Sequence, residues 1–248
     1  MRACMQDEKY FLTDTTHIPS KSNNIDLAKK GYNSNQQYDP QVHVLYLYGA
    51  SSKMPAFYRL HPGNIREVKA FKLTMLESQV KDSIIIGDKG FYSKANTDML
   101  EKDGLSYIIP LKRDSALIDY STIKDNSFKK GNNFFKHEKR FICYEEHKLE
   151  SGQKVITFLD ESLRLNEEES YLTRIQTHPE AYTKEGYLSK KDSLGTLTLI
   201  SNVKDKTAEE FYIAYKSRMA IETMFDGMKN VLEADRTYMQ DEDALQGW

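Results

Sequence analysis

The sequence lacks long apolar runs, and it has few cysteines. No segment reaches the roughly 18 consecutive apolar residues of a membrane span, and the first residues lack the parts of a signal peptide. The only cysteines, Cys4 and Cys143, are too far apart in sequence for a CxxC zinc or redox motif, and two cysteines make no disulfide framework. We therefore expect a soluble intracellular protein with reduced thiols.

The sequence also lacks an excess of positive charge. It has 35 basic and 37 acidic residues, a net charge of −2, which argues against strong nonspecific binding to nucleic acid. Residues 124–140 are an exception, because basic side chains, among them Lys129 and Lys130, alternate there with phenylalanines. Such a segment can contact phosphates and stack on bases, and we assign Lys129 and Lys130 as candidate DNA contacts. A polar hairpin with its aromatic residues turned inward explains the same composition equally well.

The length of 248 residues suits one large domain or two modest ones. Three β-rich segments are predicted first: a short strand ending at Asp14, then, after a polar loop through Asp39, two strands separated by glycine and proline signals. A helix over 64–80 with Asn64 as N-cap, a short buried strand "DSIIIGD", a helix from Ser93 stopped by Gly104, and a strand "SYIIPL" follow.

The second half has a different texture. Residues 112–206 contain short β-like segments among charged loops, including the acidic run "NEEES". A long helix is predicted from Thr207, whose hydroxyl is placed to form a capping box with Glu210. We therefore divide the chain into a first core part (1–111), a β-rich insertion (112–206) and a second core part (207–248).

The segment "YKSRMAIETMFDGMK" carries polar side chains at helical spacing. Tyr215, Arg218, Glu222 and Lys229 fall within about 60° of one another on an α-helix, opposite a stripe of apolar residues. Asp226 lies on the same face, so helical phase leaves open which carboxylate matters. A solvated surface with an Arg218–Glu222 ion pair is the alternative interpretation.

Two further carboxylates follow predicted strands, Asp14 after the first and Asp88 after "DSIIIG". If these strands are neighbours, both acids meet at one end of the sheet, although an aspartate there can also cap a turn. A third carboxylate from the last helix would complete a site of oxygen ligands for two divalent ions. Such a pair of ions activates the attacking oxygen and stabilises the leaving oxygen in phosphodiester chemistry.

These residues carry a family resemblance. The series Tyr-x2-Arg-x3-Glu-x6-Lys at 215, 218, 222 and 229 resembles the YREK signature of DDE transposases of the insertion-sequence 4 family. "LTDTT" and "IIIGDKGFYS" resemble the segments that carry the first and second aspartates of the family. "KKGYNS", "HPGNIRE" and "YIIPLKR" resemble its connecting segments, in the same order along nearly the whole chain.

The resemblance implies an α/β fold, an RNase H-like mixed sheet with flanking helices, interrupted by a β-rich insertion before the glutamate helix. It implies two Mg²⁺ or Mn²⁺ ions on the acidic residues Asp14, Asp88 and Glu222, which favours Glu222 over Asp226. It also implies contacts to DNA phosphates near the cut transposon end from Tyr215, Arg218 and Lys229. In the family, water nicks one strand and the freed 3′-hydroxyl then attacks, through a hairpin in characterised relatives.

The implied partners are double-stranded DNA, as transposon terminal inverted repeats and target, and a second copy of the chain in a homodimer on DNA. The implied location is cytoplasmic, at the bacterial nucleoid when bound to DNA, with no membrane. Relatives are longer at both ends, so we expect a truncated frame or a core fragment. Some relatives stack a tryptophan of the insertion on a flipped base, whereas residues 112–206 contain only weak substitutes such as Phe134, Phe135 and Tyr144. The rival interpretations are a non-catalytic remnant that binds DNA or the full-length transposase and inhibits it, and a host nuclease.

Overall fold

The computed structural model describes residues 8–32, 38–129, 131, 133–231 and 237–247. The chain forms two compact units. We call residues 1–109 and 213–248 the core unit, and residues 110–212 the insert unit. The functional division at 111/112 and 206/207 stays a prediction.

The strands run in chain order as follows: β1 (Tyr10–Pro19), β2 (Lys29–Tyr32), β3 (Tyr38–Gly49), β4 (Met54–Pro62), β5 (Ile84–Ile86), β6 (Ser106–Pro110), β7 (Phe134–His137), β8 (Arg140–Lys148), β9 (Lys154–Asp160) and β10 (Thr196–Ser201). The α-helices are α1 (Glu67–Ser78), α2 (Lys94–Lys102), α3 (Ser121–Lys124), α4 (Glu161–Thr177), α5 (Lys184–Lys190), α6 (Ala208–Lys216), α7 (Met219–Asp226) and α8 (Glu242–Gly247). The described residues also contain three 3₁₀ turns (Lys89–Phe91, Ser127–Lys129 and Lys191–Ser193) and a π-helix (Gly227–Val231).

The sheet of the core unit is mixed. Its order is β2-β3-β1-β5-β6, with β4 also paired to β3. β1 is antiparallel to β3 and parallel to β5, and β5 is parallel to β6. The parallel strands are covered on both faces, which explains why "III" of β5 is a continuous apolar run, buried throughout.

Two predictions about the first strands are wrong. β1 does not end at Asp14 but continues to Pro19, because residues 15–18 keep the alternating ladder with β3. The polar stretch through Asp39 is not all loop, since it contains β2 and the beginning of β3. Polar residues are tolerated here because β2 is a short strand at the edge of the sheet.

The predicted ends of the helices in the core unit are correct for α2 but not for α1. The Ser93 hydroxyl accepts the N–H of Asn96 at 3.1 Å and caps α2, and Gly104 adopts φ +72° just after it, both as predicted. Asn64 is not the N-cap of α1. The Ile65 N–H bonds to the Pro62 carbonyl in a turn, so the helix begins only after Arg66.

The predicted long helix from Thr207 is broken into α6, α7 and the π-helix. The capping box at its start is confirmed, because the Thr207 N–H donates to Glu210 at 2.8 Å and the Glu210 N–H donates to the Thr207 hydroxyl at 3.3 Å. The break follows α6, where the Ser217 hydroxyl donates to the Ala214 carbonyl at 2.6 Å and the Arg218 N–H bonds three residues back. Side-chain competition of this kind interrupts the α-helical ladder.

The insert unit has an antiparallel sheet in the order β10-β9-β8-β7. Its aromatic core includes Phe135, Phe158 and Tyr212, with ring centroids 5.1–6.2 Å apart. The acidic run "NEEES" is not a loop but part of α4, whose N-terminus is capped by an Asp160 carboxylate oxygen at 3.1 Å from the Leu163 nitrogen. Alternating charge on an exposed helix resembles loop composition, which explains this error.

Cys143 is a free thiol, and Cys4 lies outside the described residues. Within the described ranges, every helix is too short or too polar to cross a bilayer.

Candidate active site

Asp14 and Asp88 lie side by side because their strands are parallel neighbours. Leu12 of β1 is opposite Ile86 of β5, and each aspartate follows its strand partner by two residues. The ladder between the strands stops there, since β5 ends at Ile86. The two strands are neighbours, which is the condition under which the sequence brings both acids together, although Asp14 lies within β1 rather than at its end.

Arg218 lies between three carboxylates of the core unit. Its Nη2 donates to Asp14 Oδ2 at 2.6 Å, and its Nη1 is 3.7 Å from Asp88 Oδ1 and 3.4 Å from Glu222 Oε1. We call these four residues the carboxylate cluster. Its formal charge is −2, from three carboxylates and one guanidinium.

Burial controls the electrostatics of the cluster. It raises the pKa of Asp14, and the nearby Asp88 charge adds to this, while Arg218 and the Thr15 N–H lower it in part. The Thr15 N–H reaches Asp14 Oδ1 at 2.8 Å. Burial alone would lower the pKa of Arg218, but the carboxylates around it outweigh burial and raise that pKa. The guanidinium is therefore held charged among acids.

Tyr215 belongs to the same electrostatic group. Burial raises the pKa of its phenol, and the Asp88 and Glu222 charges raise it further. Arg218 opposes them, both by its charge and by a hydrogen bond to the phenol oxygen. The structure thus brings together Tyr215, Arg218 and Glu222 of the YREK series with both aspartates.

Lys229 occupies a different position. It lies in the π-helix, and its charge, together with the larger effect of burial, lowers the pKa of His17, three residues beyond Asp14 on β1. A π-helical turn holds more residues than an α-helical one, so the simple α-helical phase for Lys229 is wrong. Asp226, the rival of Glu222, accepts the Asn230 side-chain amide at 2.6 Å instead.

The loop that carries Asp88 is held by residues outside the predicted set. The buried Asn96 amide donates to the Phe91 carbonyl at 2.9 Å and to the Val68 carbonyl on α1 at 3.2 Å. A Cβ on Gly90 would come within 1.9 Å of Glu67 Oε2, so a larger residue there would displace this exposed side chain of α1.

Tyr46 was not predicted either. It pairs with Asp14 across β1 and β3, and its ring contacts Phe225 of α7 with centroids 5.6 Å apart. Its hydroxyl is 3.7 Å from Met228 Sδ in the π-helix. This packing holds the helix of Glu222 against the sheet at Asp14, and only the strand register could have identified it.

The basic segment of the insertion gives a mixed result. Lys129 Nζ is 2.6 Å from Glu161 Oε1, and Lys130 lies outside the described residues. Phe135 is buried, as an inward-turned hairpin predicts, whereas Phe134 is 54% exposed and packs edge-on against Phe141. Tyr144 is half-buried beside Phe135.

The cluster fits a divalent metal in its donor type and charge, but not in its present spacing. Carboxylate oxygens are the ligands that Mg²⁺ and Mn²⁺ prefer, and the excess of two negative charges matches one such ion. Yet no group of three His, Cys, Asp or Glu side chains in the described part of the chain is arranged to hold a metal. The carboxylates are spread around the guanidinium.

The mixed sheet with flanking helices defines an RNase H-like α/β domain, interrupted in sequence by the insert unit, whose helices hold as many residues as its strands and which is therefore not β-rich as predicted. A sequence model of the transposase DDE domain matches residues 6–248, so the chain belongs to the DDE transposase family. This family uses divalent metal ions. No curated protein sequence matches the chain significantly.

A solved structure gives a comparison at the level of the fold. The chain is similar to the piggyBac transposase in its synaptic complex with hairpin DNA, with a TM-score of 0.52 and 10% sequence identity. The match covers 91% of this chain and 42% of that one. The chain therefore spans less than half the length of this structural neighbour.

Proposed function

We propose that the chain is the catalytic core of a transposase of the insertion-sequence 4 family, which carries the YREK signature and performs metal-dependent DNA strand cleavage and strand transfer. The observation that supports it is the convergence of Asp14, Asp88 and Glu222 on one point of an RNase H-like sheet. Membership of the DDE transposase family supports the same chemistry.

In this proposal Asp14, Asp88 and Glu222 hold two Mg²⁺ or Mn²⁺ ions. When bound, the ions would activate a water or a 3′-hydroxyl and stabilise the leaving oxygen of the phosphodiester. Asp14 is the fixed member of the set, because β1 and β3 enclose it and the Thr15 N–H orients one of its oxygens. Glu222 is 55% exposed, so it is the carboxylate that an incoming strand would reach most easily.

Tyr215, Arg218 and Lys229 hold phosphates in the proposed complex. Arg218 presents a planar set of donors that matches two phosphate oxygens. Lys229 supplies a point charge from the π-helix, near His17 of β1. The substrates are double-stranded DNA with terminal inverted repeats and the target duplex, and we propose a homodimer that joins two transposon ends. The structural neighbour is a synaptic complex with hairpin DNA, which supports a hairpin route here.

The first test is cleavage of a duplex that carries the repeats flanking the gene. We expect nicking that requires Mn²⁺ or Mg²⁺ and that falls by more than about 100-fold in Glu222→Gln, because losing a metal ligand costs more than losing an outer-shell partner. Products resolved on a denaturing gel measure both the nick and the hairpin.

The matched control is Asp226→Asn, which neutralises a carboxylate of the same helix outside the cluster. It is expected to retain cleavage near the original rate. Equal loss in Asp226→Asn and Glu222→Gln would contradict the assignment of Glu222, and nicks without hairpins would contradict the hairpin route.

A second candidate function is a non-catalytic remnant that binds DNA or full-length transposase and inhibits it. The observation that favours it is the ion pairing of all three carboxylates with Arg218. This alternative predicts DNA binding without any metal-dependent cleavage, and a lower rate when the chain is added to an active transposase.

A further inference from the structure

Arg218 occupies the place that cations would need in the proposed site. Its Nη2 lies 2.6 Å from Asp14 Oδ2, and its Nη1 faces both other carboxylates. A divalent ion bound to the same oxygens would lie within a few ångströms of the guanidinium, where like charges repel because Arg218 and Asp14 are largely shielded from water. The metal and Arg218 therefore compete for the carboxylates.

The carboxylate cluster does not satisfy all the hydrogen-bond donors of Arg218. A guanidinium has five N–H donors, and the Arg218 Nε is buried without a hydrogen-bond partner among the described residues. Two of the three carboxylates are at 3.4 Å and 3.7 Å, longer than a good charge-assisted hydrogen bond. A phosphate group offers the bidentate geometry that the cluster does not supply.

The backbone position of Arg218 sets it apart from an ordinary helical residue. It lies in the break between α6 and α7, after Ser217 interrupts the helical ladder. Its side chain is 11% exposed, so it borders both the acids and the solvent from which DNA would approach. The same side chain can thus pair with either group.

We propose that Arg218 is an exchangeable counter-ion, which neutralises the carboxylate cluster until a DNA phosphate draws it away and lets divalent ions enter. DNA and metal then bind with positive coupling, so the metal site assembles only on DNA. This inference rests on the proposed function, which places the metal on Asp14, Asp88 and Glu222.

The test is a Mn²⁺ titration of the full chain, followed by electron paramagnetic resonance of the free ion. Without DNA, Arg218→Gln is expected to bind Mn²⁺ about 10-fold more tightly than the unchanged protein, within the usual range of coupling between sites. The matched control Arg59→Gln removes an arginine of the core unit that pairs with Glu77 instead, and it should leave Mn²⁺ affinity unchanged.

The second arm repeats the titration with a short blunt DNA duplex. The duplex should raise the Mn²⁺ affinity of the unchanged protein about 10-fold and that of Arg218→Gln hardly at all. Coupling is reciprocal, so Mn²⁺ should raise the affinity of the unchanged protein for the duplex by the same factor. Arg218→Lys keeps the positive charge but loses the two parallel donors of the guanidinium. It should bind Mn²⁺ weakly without DNA, and the duplex should raise its Mn²⁺ affinity less than that of the unchanged protein.

The outcomes separate the two proposals. In one outcome, Mn²⁺ binding is saturable and Glu222→Gln abolishes it, but a folded Arg218→Gln binds Mn²⁺ no more tightly than the unchanged protein. This outcome overturns the exchange and leaves the proposed function standing. If Arg218→Gln does not fold, Arg218→Lys decides instead. A rise in Mn²⁺ affinity on adding the duplex that is as large in Arg218→Lys as in the unchanged protein overturns the exchange. The proposed function itself is contradicted if Glu222→Gln still binds Mn²⁺. It is also contradicted if no variant binds Mn²⁺ in the presence of DNA.

Discussion

The three carboxylates of the cluster differ in their surroundings. Asp14 is 19% exposed, Asp88 36% and Glu222 55%, so they form a gradient from the sheet to the solvent. Asp14 alone accepts both a backbone N–H and a short guanidinium bond. Asp14 is therefore the most firmly held carboxylate of the cluster, and Glu222 is the one most open to solvent.

Three histidines on neighbouring strands form the other titratable group of the sheet. His43 pairs with His17 across β1 and β3, and with His61 across β3 and β4. Burial, with nearby positive groups, lowers the pKa of both His43 and His61 to about 4. His61 Nε2 donates to the Thr74 hydroxyl at 2.8 Å, because that hydroxyl itself donates to Ala70, and the lowered pKa keeps the ring neutral near pH 7.

We predict an acid-sensitive stability from these histidines. The unfolded chain takes up protons near pH 6.5, whereas the folded state does so only near pH 4, so stability is complete above pH 6.5 and falls as the pH drops toward 4. The loss is about 3 kcal/mol for each imidazole, at ~1.4 kcal/mol per pKa unit. Urea unfolding between pH 7 and 4.5 measures it.

His61→Gln keeps the donor to Thr74 but cannot be protonated. It should remove about half of this pH dependence, and the exposed His178→Gln should remove none. An unchanged slope in His61→Gln would show that other groups cause the acid sensitivity.

Among the elements, those with local sequence signals could be predicted and those set by tertiary contacts could not. Ser93 and Thr207 begin helices because their hydroxyls bond within one turn. Helical phase assumed one continuous helix and missed the break at Ser217–Arg218, and it could not show that Arg218 bonds Asp14, which lies 204 residues away along the chain. The convergence on Asp14 required the register of β1 with β5, which no local pattern contains.

At this scale we predict that Asn96 positions the Asp88 loop. Asn96→Leu has a similar volume but leaves one buried and one partly buried carbonyl without their donor, which costs on the order of 2–6 kcal/mol at ~1–3 kcal/mol for each. We expect a lower melting temperature and weaker Mn²⁺ binding on DNA, because Asp88 loses its placement. Thermal unfolding and the Mn²⁺ titration measure the two effects.

The control is Thr97→Val, since Thr97 is equally buried but bonds only within its own helix. It should lower the melting temperature slightly and leave Mn²⁺ binding unchanged. A loss of Mn²⁺ binding in Thr97→Val as large as in Asn96→Leu would mean that general destabilisation, rather than the loop contact, is responsible.

For the whole molecule, the near balance of charge means that the proposed DNA binding would depend on a few cations in defined places. Lys129 is a test of this, because its ion pair with Glu161 at 2.6 Å restrains its ammonium. If Lys129 contacts a phosphate, Lys129→Ala weakens binding and lowers the slope of log K against log salt by about 1. Glu161→Gln frees the ammonium and should instead strengthen binding.

The opposite signs of these two changes make the experiment decisive, because both remove the same ion pair and so share its small effect on stability. Fluorescence anisotropy of a labelled duplex at several salt concentrations measures affinity and slope together. If Lys129→Ala and Glu161→Gln shift the affinity in the same direction, the basic segment acts through folding of the insert unit. Its phenylalanines, with Phe135 buried against Phe158, then explain the composition without DNA.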